Sequence, residues 1–166
     1  VFDSDILRWH SDVGRGDEIM RNLVEVRQIM EPAAARLAAG RASMDDLRRM
    51  DDALHDMVAN ADNREGYAHA DVEFHLSVYA ASHNVLLRQF GSVVADFMYA
   101  SFNVQQATIA DDEVFSEDAA THAAVFEAIN RGNGEKAAEA MLHVVLDGKN
   151  ALIKALSDQR DAAPAP

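Results

Sequence analysis

A chain of 166 residues, 49% of them apolar, is long enough for one domain with a real core and too apolar to be disordered. Its 15 basic and 28 acidic residues leave a formal net charge of −13, a surface that repels phosphate backbones and argues against direct nucleic-acid contact by this segment. The lack of cysteine excludes disulfides, thiolate metal sites and cysteine nucleophiles. No apolar run approaches the roughly 20 residues that span a bilayer, and no basic-then-apolar export signal opens the chain. The expectation is a cytoplasmic protein with no membrane partner.

Read in chain order, the apolar positions recur at helical spacing and period-2 alternation is not sustained, so the expected class is all-α. Ser4 to His10 form a candidate leading helix, followed by a turn at Gly14-Arg15-Gly16. From Asp17 the positions Ile19, Met20, Leu23, Val26, Ile29 and Met30 predict a long helix, kinked at Pro32 and capped by Gly40. Ser43 and Asp46 have the spacing of a capping box, ahead of a stripe of Leu47, Met50, Leu54 and Met57. A polar loop from Asn60 to Gly66 leads to a helix over about Tyr67–Ala81. Ser82-His83-Asn84 breaks it, and Asn84 caps a further helix through Leu87, Phe90, Val94, Phe97 and Met98. Asp111 to Glu117 reads as an acidic linker, and two last helices are split by Gly132-Asn133-Gly134. The pattern predicts one antiparallel bundle of six to seven helices over residues 1–160, with a disordered tail at 161–166.

Asp71 and His75 stand one helical turn apart, so on a helix both reach the same face. His122 begins another inward stripe with Val125, Phe126 and Ile129. Two imidazoles and one carboxylate suit zinc foremost, and also nickel, manganese or iron, with coordination positions left open. The bland alternative is a satisfied core histidine beside ordinary polar residues. His143 is set aside, because Met141, Leu142, Val145, Leu152, Ile153 and Leu156 mark the apolar side of the last helix and His143 projects away from it. His10, His55, His69 and His83 show no helical partner pattern and read as surface or loop residues. Arg27 falls among apolar neighbours, where its guanidinium either grips a ligand carboxylate or pairs internally with Glu31 at i+4. Ser101 and Asn103 are candidates for neutral contacts to a ligand. No nucleophile elbow, phosphate-cradling glycine loop or His-Glu-x-x-His motif occurs.

Three segments together resemble the ligand-sensing C-terminal (FCD) domain of FadR-type GntR transcription regulators. They are Glu25 to Ala39 with Arg27, Glu31, Pro32 and Arg36; Asp71-x-x-Phe74-His75 with Ala81 to Leu87; and His122-x-x-Val125-x-x-Ala128-Ile129-x-x-Gly132 with Ala137, Ala138 and Met141. The opening Phe2 to Trp9 is similar to that of members responding to sugar acids such as galactonate. The resemblance implies a central cavity with a divalent metal on Asp71, His75 and His122, an effector carboxylate near Arg27, and a homodimer. It also implies a winged helix-turn-helix for DNA elsewhere in the full protein. The family's fourth metal histidine falls at Val144 here, with His143 one residue early. The resulting expectation is an effector-sensing domain and not an enzyme. Its rival is a metalloenzyme built on a two-His, one-carboxylate triad.

Overall fold

The computed structural model describes residues 16–105 and 112–162. Among them lie six α-helices and no strand: α1 (Gly16–Arg41), α2 (Met44–Ala59), α3 (Arg64–Ala81), α4 (Val85–Gln105), α5 (Asp112–Asn130) and α6 (Gly134–Ala162). The leading helix expected at Ser4–His10 lies outside the described residues, as does residue 163 onward. α1 packs chiefly on α6, α2 on α3, α5 on α6 and α4 on α3. This is the all-α bundle expected from periodicity.

The helix ends follow from capping chemistry. Ser43 and Asp46 complete a reciprocal capping box at the start of α2. The Asn84 side chain accepts from the amides of Leu86 and Leu87 at 3.0 and 3.1 Å, stopping the chain between α3 and α4 and starting α4. At the α5–α6 junction Gly132 adopts a left-handed φ of 70°, which a side chain would strain, and Asn133 then caps α6 by accepting from Lys136 N.

Four boundaries differ from expectation. α1, which contains Pro32 as expected of one long helix, runs past Gly40 to Arg41. α3 begins at Arg64 because Asn63 caps it by accepting from Gly66 N, so part of the expected loop is its first turn. The acidic stretch 112–117 is helix and not linker, since carboxylates are favoured in a first helical turn. α6 continues to Ala162, two residues into the stretch read as tail.

α3 is the central element. Residues on nearly every side of it are buried, from Tyr67 through Phe74, His75 and Ser77 to Tyr79 and Ala81. Gly91 lets α4 approach closely, for a Cβ there would stand 3.1 Å from the Tyr79 side chain. The inward stripe of α1 reads Met20, Val24, Arg27, Glu31, Ala34, Ala35 and Ala38, while Ile29, expected on it, is 69% exposed. Two charged residues therefore sit in register with the apolar face. That register creates the site.

Candidate metal and effector site

A cavity of about 530 Å³ opens beside α3, with walls contributed by α1, α3, α4, α5 and α6. Arg27, Tyr67, Asp71, His75, Ser101 and His122 all line it. At its floor the Asp71 Oδ1 atom lies 2.9 Å from His122 Nε2 and 3.3 Å from His75 Nε2, and the two Nε2 atoms are 3.2 Å apart. Both imidazoles are buried, whereas the Asp71 side chain is 22% exposed. Phe74, itself fully buried, packs edge-on against both rings and fixes their planes.

These distances bear directly on metal binding. A tetrahedral zinc with bonds of roughly 2.0–2.1 Å separates its donors by roughly 3.3–3.4 Å. The three donors already stand at about that spacing. Their other ring nitrogens are also committed: His122 Nδ1 donates to the Asp118 carbonyl at 2.7 Å, and His75 Nδ1 donates to the Glu31 carboxylate. In the neutral rings, with the proton on Nδ1, both Nε2 lone pairs would face one point beside a carboxylate oxygen. This is the orienting outer shell that metal-bound histidines use. The donor set therefore fits a small divalent ion such as zinc.

Charge is tightly balanced around this point. Burial alone would push the Glu31 carboxyl up, but Arg27 and His75 outweigh it and hold it down at about 2. Burial likewise disfavours the charged His122, yet Asp118 and Asp71 lift it to about 9. His75 is raised as well, with Glu31 and Asp71 overcoming its desolvation. Asp71 is held well below the usual carboxylate range, because the two histidines overcome its burial. Asp118 goes the other way, pushed up by burial while it accepts from Tyr67 Oη at 2.5 Å.

The remaining expected residues divide. Arg27 pairs internally through Nε with Glu31, as one of its two readings expects, and it also lines the cavity. The guanidinium carbon lies 5.6 Å from the centre of the Phe97 ring. Ser101 is buried against the cavity, but Asn103 is exposed and not part of its wall, since two residues on a helix differ by about 200°. His143 is 66% exposed by side chain, with Asp147 3.5 Å away, and only borders the cavity rim. Leu142 and Ile153, read as inward, are exposed, and Val144 is buried on the cavity wall instead. His55, read as unpartnered, bonds within its own helix to the Asp51 carbonyl at 2.8 Å.

Three residues of the site carry no mark in the sequence reading: Glu31 as a link to histidine, Asp118 and Tyr67. Asp118 has a visible signal, for Asp118-x-x-x-His122 repeats the spacing of Asp71-x-x-x-His75.

The FCD domain family matches residues 22–147. The chain is 32% identical over 86% of its length to the galactonate operon transcriptional repressor of Escherichia coli K12, covering 62% of that protein. It is 30% identical over 75% of its length to the HTH-type transcriptional regulator LutR of Bacillus subtilis 168, covering 58% of it. The chain thus spans about six-tenths of the length of these relatives. In fold it is similar to Streptococcus agalactiae GntR (TM-score 0.69, 23% identity, 81% of this chain and 59% of that one). It is similar also to E. coli McbR/YncC (TM-score 0.72, 17% identity, 84% and 65%). The named relatives are transcription regulators, which sets aside the metalloenzyme alternative. The chain belongs to the FCD domain family of GntR-type transcription regulators.

Proposed function

We propose that this chain is the effector-sensing and dimerisation domain of a cytoplasmic bacterial regulator, responding to a small carboxylate that is a sugar acid or related hydroxy acid. The observation that carries the reading is the convergence of Asp71, His75 and His122 at the floor of a cavity that Arg27 also lines. Asp71, His75 and His122 would hold a divalent ion, zinc foremost, with nickel, manganese or iron as alternatives. Such an ion supplies positive charge and open coordination positions for a carboxylate. The positive charge matters, because Arg27 is already paired with Glu31, while Asp71, Glu117, Asp118 and Asp147 make the walls acidic.

Arg27 Nε donates to Glu31, and the terminal nitrogens of its planar guanidinium would bind and orient a carboxylate as a fork. Ser101 also lines the cavity. The relatives' names agree in chemistry: one regulates a galactonate operon, and another is a putative L-lactate dehydrogenase operon regulatory protein of E. coli K12, 30% identical over 73% of this chain. Galactonate and lactate are both hydroxy acids.

Five of the six helices meet at the cavity, so a ligand bridging them favours one packing over another. That preference is what shifts a regulator between states. The net charge of −13 leaves DNA contact to a separate domain, for which a winged helix-turn-helix is the expectation. The test is titration calorimetry of the zinc-supplemented protein with D-galactonate, D-gluconate and L-lactate, using neutral D-galactose as control. Saturable heat is expected with at least one acid and none with the neutral sugar. Flat titrations for every acid would overturn the effector class.

A further inference from the structure

Glu31 touches both halves of the site. Its side chain is 1% exposed, and each carboxylate oxygen has one partner: Oε2 accepts from Arg27 Nε and Oε1 from His75 Nδ1. Neither partner reaches it through an intermediary, and Arg27 and His75 come from different helices. We infer that Glu31 is a positioning residue that couples the anion subsite at Arg27 to the metal subsite at His75. The inference rests on the metal-and-carboxylate reading above.

The direction of the coupling follows from charge. Arg27 and His75 share one carboxylate, so whatever draws the guanidinium away from Glu31 concentrates negative charge on the His75 side. A ligand carboxylate on the terminal nitrogens of Arg27 does this. The hydrogen bond from His75 Nδ1 to Glu31 then strengthens, which polarises the ring and makes its Nε2 a stronger donor to a metal. An anion thus tightens the metal, and by linkage the metal tightens the anion to the same degree. A Glu31 that merely satisfied two buried donors would hold the fold together without relating the two subsites.

The experiment measures zinc alone, by competition with a chromophoric chelator, on the full 166-residue chain. Arg27→Met frees Glu31 for His75 and removes a nearby cation, although Arg27 is not among the metal donors. Zinc binding is expected to tighten on the order of fivefold. Adding Glu31→Gln to Arg27→Met is expected to weaken zinc roughly 10- to 100-fold relative to Arg27→Met.

Helical circular dichroism checks that each variant is folded. If Arg27→Met alone fails to fold, the double variant, with both charges gone, is compared with the wild type, and a weakening of roughly 2- to 20-fold is expected. Zinc affinities of Arg27→Met and the double variant agreeing within about twofold would overturn the role of Glu31. An unchanged affinity in Arg27→Met would overturn the coupling. A wild-type protein that binds no zinc overturns the metal reading itself, a result distinct from either.

Discussion

Asp71 and His122 are 51 positions apart in sequence, yet the Asp71 carboxylate stands 2.9 Å from the His122 Nε2 atom. Two independent helices, α3 and α5, thus deliver donors to one point, and His75 completes the set one turn along α3. The contact is long-range and part-buried, so it depends on the packing of the whole bundle and not on local helix geometry.

Removing one donor tests this convergence at its simplest. His122→Ala deletes the donor from α5 and leaves Asp71 and His75 as a two-point site. Zinc affinity is expected to fall by more than about 100-fold, beyond the loss typical of an outer-shell change. Chelator competition measures it, with circular dichroism confirming that the helices persist.

The pH dependence has a definite sign. His122 is raised to about 9 from an ordinary 6.5, so its imidazolium stabilises the metal-free fold fully below 6.5, and that stability is lost as pH rises through 9. Glu31 is lowered to about 2 from 4.5, so its contribution is present above 4.5 and lost as pH falls through 2. Urea midpoints of the metal-free protein are expected to be highest between these limits. Zinc behaves oppositely on the alkaline side, because it must displace the His122 proton. Its affinity is expected to climb by up to about tenfold per pH unit and level off near pH 9.

Val144, where the resemblance places a fourth metal histidine, lies buried on the cavity wall. Val144→His is expected to add a donor, tightening zinc by at least about tenfold while weakening the effector that otherwise uses the open position. Paired calorimetric titrations with zinc and then with the responding acid read both effects. Tighter zinc with unchanged effector affinity would show that the acid does not share the metal.

The proposed effector class carries a specificity that the acidic walls would set. Glu117, Asp118 and Asp147 line the cavity, and a second carboxylate on the ligand would meet them. An aldaric acid is expected to bind at least about tenfold more weakly than the aldonic acid of the same chain length, whose terminal hydroxyl can donate to those carboxylates. Competition titration at one pH decides it.

Much of the site is legible from residue spacing, for definite reasons. Asp71, His75 and His122 are polar residues in apolar stripes, and such a residue needs a partner. The role of Glu31 is hidden because a glutamate four residues from an arginine looks the same on a solvated helix face as in a core. Only the burial of α1 against its neighbours tells the two apart. Ser101 and Asn103 are equally plausible by composition, and the rotation of α4 separates them. The start of α3 is obscured because Arg64, Glu65 and Gly66 lack apolar side chains, although Asn63 is a good cap for the helix they begin.

X-ray absorption at the zinc edge of the loaded protein tests the central claim most directly, because it reads the ion's own neighbours. A first shell of two imidazole nitrogens with the remaining positions taken by oxygen is the expected result. A shell of oxygen alone, or one with more than two imidazoles, would contradict a site built from Asp71, His75 and His122.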